Sequence, residues 1–169
     1  MNTHEIINQL DSNSLVFKNL LSGVPEKLIH RKPSGSHWSL LEIVCHLYDE
    51  EKEDFRPRLA KIIAGDHNWD LIDPQDWVLS RKYSEKDFDS VLKDFLYERS
   101  VSVEWLKSLD VNFRNLKVTQ PVFGEFSAIK MLSEWLAHDL LHIRQILKLK
   151  FDFLNESLQP DAVSYAGKW

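Results

Sequence analysis

The sequence predicts an all-α four-helix bundle. Four long stretches repeat their apolar residues at helical spacing, and each begins beside a Ser, Thr or Asp able to cap it. Gly and Pro number only five and six in 169 residues, too few for a sandwich of many short strands. No repeat, low-complexity segment or linker interrupts the chain, so residues 1–169 read as a single domain.

The first pattern runs from a cap at Thr3 to Leu21, with Ile6, Ile7, Leu10, Leu15, Phe17 and Leu20 apolar, and Gly23 and Pro25 end it. Residues 27–39 read as a loop by their Pro, Gly and Ser. Ser39 with Glu42 forms a capping box, opening a second helix at Leu40 that stops at Gly65. Its core face is Leu41, Val44, Tyr48, Phe55, Leu59 and Ile62, and Pro57 is expected to kink it. Residues 66–83 form a long connection in which Trp69 and Trp77 either wall a pocket or cover the end of the bundle. Ser84 with Asp87 signals a third helix to about Leu109. Segments LKV and PVF then suggest a short hairpin turning at Thr119 and Gln120. The aromatics of the closing SYAGKW suggest a tail docked on the bundle.

The fourth pattern, Ser127 to Lys150, is the most informative. It places Leu132, Leu136, Leu140, Ile143 and Leu147 on one apolar face, with Lys130, Ser133, Arg144 and Lys148 opposite. His138 and His142 lie one turn apart on a stripe shared with Met131, Trp135 and Leu149. Two inward imidazoles at that spacing can hold one metal ion, or can be core histidines with carbonyl partners. Asp139, about 100° around the helix from His138, is poorly placed as a general base on such a metal. His46 falls in line with Glu42, Glu50 and Glu53. Periodicity alone leaves two readings of that line, a solvated charged face or the polar wall of a cleft.

Composition narrows the classes. A net charge of −5 with no basic run gives no footprint for nucleic acid. No apolar stretch approaches the ~20 residues of a membrane span, and the N-terminus lacks a signal-peptide pattern. Cys45 is the lone cysteine, read as a small buried apolar residue, and a cytoplasmic, soluble protein is expected.

HWSLLEIVCHLYDEE followed by QPVFGEFSAIKMLSEWLAHDLLHIRQI resembles the DinB-like, YfiT-related superfamily of metal-dependent helical bundles. The matching positions are Trp38 and Ser39, then His46, His138 and His142, then Gln145 and Ile146. The SYAGKW tail is also similar. The resemblance implies that the second and last long helices face each other, and that His46, His138 and His142 converge on one divalent metal, zinc or nickel. That makes the acidic stripe of His46 the rim of a cleft. Relatives include transferases and isomerases that use low-molecular-weight thiols of the bacillithiol type, and hydrolases assigned by inference. Relatives are often homodimers. Thiol transfer to a small-molecule electrophile, hydrolysis, and plain binding of metal or ligand are therefore the competing expectations. Asp49 and Glu50 are candidate proton-handling groups beside the metal.

Overall fold

The computed structural model describes residues 1–33, 37–69, 71–161 and 163–167. Four helical courses form the bundle: α1 (Thr3–Leu21), a composite course from Leu40 to Ala64, α6 (Phe88–Ser108) and α7 (Ala128–Ser157). Short helices α2 (Glu26–Ile29) and α5 (Pro74–Ser80) lie in the two connections flanking the composite course. Most of the described residues are helical. Among the described residues no helix is long and apolar enough to cross a membrane.

The helix starts follow side-chain chemistry, with small shifts from the expected caps. Asn2, not Thr3, caps α1 through a capping box with Glu5, leaving Thr3 inside the first turn. Ser39 and Glu42 form the expected box at the second course. Asp87 alone caps α6, since Ser84 lies within a 3₁₀ turn, Tyr83–Glu85. Ser127 caps α7 by accepting from the Lys130 N–H.

The composite course has three parts: α3 (Leu40–Asp49), a π-helical turn (Glu50–Phe55) and α4 (Arg56–Ala64). Pro57 sits in the first turn of α4, where a missing N–H costs least. The expected disturbance is thus absorbed by the i→i+5 turn before it. That turn carries Glu50, Glu51, Asp54 and Phe55 into the interior. Gly65, at φ +74°, closes the course in the left-handed conformation that a Cβ disfavours.

The hairpin exists, but not where its turn was expected. Strands β1 (Lys117–Gln120) and β2 (Gly124–Ser127) pair antiparallel, with Val118 opposite Phe126, and the chain turns through residues 121–123. Gln120 Oε1 accepts from the N–H groups of Val122 and Phe123, so the side chain supplies the turn bonds that proline-led PVF cannot.

Burial along α7 follows Met131, Leu132, Trp135, Leu136, Asp139, His142, Ile146 and Leu149. The stripe bearing the histidines is therefore the core face, whereas Leu140 and Leu147 are exposed. Leu15 of α1 is likewise exposed. In the tail Tyr165 is fully exposed and does not dock, and Lys168 and Trp169 lie outside the described residues.

Where the four courses meet, the core is charged. Arg99 donates from Nε to Glu51 Oε1 at 2.7 Å, and from Nη1 and Nη2 to the two oxygens of Asp139 at 2.6 and 2.7 Å. Trp135 Nε1 donates to Glu51 Oε2 at 2.9 Å, and Asn13 Nδ2 to Asp139 Oδ2 at 3.0 Å. Arg99, Glu51 and Asp139 are each at most 1% exposed. One guanidinium thus ties α1, the π turn, α6 and α7 together.

Removing the cation strands two buried carboxylates, and breaking such a group costs about 3–5 kcal/mol. Arg99→Ala is expected to lower unfolding free energy by that order in chemical denaturation. A loss under about 1 kcal/mol would mean the network contributes little.

Candidate metal centre

Two elements position the three histidines. His46 lies in the last turn of α3, before the π turn, and His138 and His142 occupy successive turns of α7. Because α3 and α7 pack side by side, the rings meet. His46 Nε2 lies 3.0 Å from His138 Nε2, which lies 3.1 Å from His142 Nε2. Among the described residues these three are the group whose ligand atoms gather within reach of one ion. The His46 stripe is not a solvated face: Glu42, His46 and Glu50 are buried, and only Glu53 of that line is exposed.

Each ring is set by a neighbour. Gln145 Oε1 lies 2.9 Å from His142 Nδ1, so Nδ1 carries the proton and Nε2 keeps its lone pair. The Trp38 indole packs on His46 at 4.7 Å between centroids and runs parallel to His142 at 6.3 Å. Phe55 closes the far side, 5.0 Å from the His138 ring. The Trp38 and Gln145 positions of the sequence pattern are thus the groups that orient the triad.

Burial makes the rings neutral. Desolvation, helped by the charge of His142, pulls His46 down to about 3. Desolvation takes His142 to about 4, partly offset by Gln145 and Asp139, and holds His138 well below the usual imidazole range.

The donor set fits a cation better than it fits hydrogen bonding alone. A neutral imidazole has one N–H, so His138 cannot aim a proton at both neighbours, and His142 Nε2 is already bare. At least one short contact sets like against like unless a positive ion lies among the lone pairs. Imidazole nitrogens about 2.0–2.1 Å from a tetrahedral ion stand roughly 3.4 Å apart, close to the spacings seen. Buried His46 Nδ1 has no hydrogen-bond partner, and Glu50 Oε1 stands 3.7 Å from it. A carboxylate behind a ligand imidazole is a common support for a metal.

The nearby carboxylates divide into two sets. Burial, with Asp54 alongside, raises Glu50 above the usual carboxylate range. Asp49 is not part of the site. It accepts from Tyr83 Oη at 2.5 Å and pairs with Arg81 at 2.9 Å. Asp139, turned away from the triad, belongs to the Arg99 network. Cys45 is buried and its thiol is pushed up to about 12, mainly by desolvation, which fits the apolar role. His67 is exposed and His37 stands beside His142 in an outer cleft.

Two clefts reach the triad. One of about 300 Å³ ends at His138 between Phe55, Trp69, Phe126 and Met131. The other, about 560 Å³, ends at His142 between Trp38, Arg144, Gln145 and Lys148. Trp69 thus walls a pocket, and Trp77 lines a second cleft with it while stacking on Arg81, with the guanidinium 3.9 Å from the ring centroid.

A sequence model of the DinB superfamily matches residues 9–146. Among solved structures the chain is similar to YfiT from Bacillus subtilis, described as "a probable metal-dependent hydrolase with an unusual four-helix bundle topology". That similarity has a TM-score of 0.79 and 14% identity, and it covers 89% of this chain and 87% of YfiT. A search of curated proteins found no match.

The depressed His values have a pH signature. Below about 6.5 the unfolded chain protonates these rings, whereas the folded chain resists until about 4 at His142 and about 3 at His46. Their contribution to stability is therefore complete above 6.5 and declines as pH falls through that window. In metal-free protein, His46→Gln should gain stability relative to wild type as pH drops from 6.5 to 4. A difference flat with pH would show that His46 titrates normally.

Proposed function

We propose that this chain, which belongs to the DinB superfamily, is a metal-dependent enzyme in which His46, His138 and His142 hold one divalent ion, zinc or nickel. The observation that carries the reading is the meeting of three neutral imidazoles, two buried and one half-buried, whose short contacts cannot all be hydrogen bonds. Three neutral ligands leave the ion's charge intact and leave room for a further ligand. An ion there supplies a Lewis acid that lowers the pKa of a bound thiol or water.

The finer reading is transfer of a low-molecular-weight thiol to a small electrophile. The thiol loses its proton to solvent, sulfur forms a bond to the electrophilic carbon, and the leaving group departs with the electron pair of the bond that breaks. Two clefts, one lined by His138 and one by His142, suit two substrates, and a hydrolase needs one plus water. The cleft at His142 carries Arg144, a cation suited to an acidic thiol, beside Lys148, whose ammonium is paired with Asp152. Glu50 lies on the Nδ1 side of His46, away from the meeting point of the Nε2 atoms. It is therefore poorly placed as a general base for hydrolysis. Asp54 and Glu134, which line the cleft at His138, are what favours hydrolysis as the second reading.

Protein purified without a His tag should contain about one divalent ion per chain by mass spectrometry. His142→Ala should lose most of it, and His37→Ala and His67→Ala should retain it. Equal metal in wild type and His142→Ala would reject the three-His site. In cobalt-substituted protein, a small thiol should produce a sulfur-to-cobalt charge-transfer band that is absent in His46→Ala. A spectrum indifferent to every thiol tried would move hydrolysis ahead.

A further inference from the structure

The hairpin β1–β2 brings an aromatic side chain to the mouth of the cleft at His138. Buried Phe55, Trp69 and Met131 form the inner wall of that cleft, whereas Phe123 and Leu141, 47% and 53% exposed, stand at its rim. Phe123 is held there by design of the turn. Gln120 is buried, and its side-chain oxygen accepts from the N–H groups of both Val122 and Phe123. Phe126 links rim to interior, with its ring edge-on to Trp69 at 6.2 Å and to Phe123 at 6.2 Å. Trp69, Phe126 and Phe123 therefore make one continuous aromatic wall. We propose that this cleft selects an uncharged, flat aromatic molecule, and that Phe123 at the hairpin turn is a specificity-determining residue for it.

Size, shape and charge each limit the occupant. The cavity measures about 300 Å³, and an apolar cavity of about 150 Å³ is enough for benzene, so one or two fused rings fit. Aromatic walls reward an aromatic guest through stacked and edge-on contacts, and the Met131 thioether suits a ring edge. The inner rings are already set, since Phe55 stacks on Trp135 at 5.4 Å, so a planar guest meets a slot that needs little ordering. Charge of either sign is disfavoured. An anion meets exposed Glu134 and the carboxylate of Asp54, and a cation meets Arg58, which is paired to Asp54 at 2.6 Å, and Lys130, whose ammonium lies 4.4 Å over Phe126. Leu141 lines this cleft and the one at His142, so the occupants of the two clefts meet across one side chain. On the transfer reading, on which this step rests, the aromatic molecule is the electrophile. Its binding needs no metal.

Met131 supplies the reporter, because Met1 is the chain's other methionine. Full-length protein carrying methyl-labelled methionine is followed by NMR, and loss of a signal in Met131→Leu assigns the methyl in the cleft. The probe is 2-naphthylmethanol, titrated into metal-free and zinc-loaded protein. It is compared with its saturated counterpart decahydro-2-naphthylmethanol, with anionic 2-naphthoate and with cationic 2-naphthylmethylammonium. The naphthyl ring current should move the Met131 methyl, and the aromatic alcohol should bind more tightly than the saturated alcohol or either ion. Phe123→Ala, on an exposed turn residue, should weaken the aromatic alcohol roughly two- to tenfold and the saturated one less, as for loss of one aromatic contact. Ala137→Phe, on a lining residue exposed enough to tolerate bulk, should weaken both. A Met131 signal that the aromatic alcohol leaves unmoved overturns the proposal. So does tighter binding of the saturated alcohol or of either ion, or equal weakening of both alcohols in Phe123→Ala. His142→Ala separates the two readings, since it should lose zinc and keep the aromatic alcohol. Binding of that alcohol to wild type that takes no zinc would sink only the metal site, and zinc without the alcohol only this cleft.

Discussion

The structure depends on a single buried guanidinium. Arg99 brings one positive charge into the centre of the bundle and surrounds it with two carboxylates and the Leu10 carbonyl, while Trp135 and Asn13 donate to the carboxylates. Such a group is weak as a source of net stability, because desolvating three charges offsets most of their attraction. Its strength is geometric. A bidentate Arg–Asp pair and a single Arg–Glu bond have narrow distance and angle requirements, whereas apolar faces can slide by a turn at modest cost.

That geometry sets the metal centre. Asp139 directly follows His138 on α7, and Glu51 lies five residues beyond His46 on the composite course. Holding both carboxylates on Arg99 fixes the axial register of the two helices that supply the imidazoles. The π turn completes the arrangement by turning Glu50 and Glu51 both inward, one toward His46 and the other toward Arg99. Trp135 joins the two regions, donating to Glu51 while its ring stacks on Phe55, which in turn borders His138. The rings are therefore held from behind by a rigid polar network and from the sides by aromatic faces. Preorganisation of this kind is what a metal site with few protein ligands needs.

Much of the fold was legible in the sequence because capping and periodicity are local. The boxes at Ser39 and Glu42 and the cap at Ser127 mark helix starts that the structure keeps. Spacing put His138 and His142 on one inward stripe, but His46 could be joined to them only through the family resemblance. Its neighbours are acidic, and nothing in a single helix tells a solvated acidic face from a buried one. The choice of core face along α7 failed for Leu140 and Leu147 for a related reason, since leucines occupy more than one stripe and packing chooses among them. The Arg99 network went unseen, although a signal was present. Arg99 follows Phe95 by one turn and precedes Val103 by one, Asn13 lies between Leu10 and Phe17, and Asp139 lies between Leu132 and Ile146. Three polar residues at core positions of three helices mark a buried cluster, but the partners become identifiable only when the helices are assembled.

The central claim is that the charged clamp exists to set the register of the imidazoles. Metal affinity in a variant with a neutral clamp tests it most directly: E51Q/R99M/D139N, compared with wild type by competition against a chromogenic zinc chelator. These substitutions keep volume and leave no stranded charge, so the variant should remain folded by circular dichroism. Loss of the fixed register predicts zinc binding weakened by roughly 10- to 100-fold, the range seen when groups that orient metal ligands are removed. Wild-type zinc affinity in a folded variant would contradict the claim and leave the alignment of His46 with His138 and His142 to apolar packing alone.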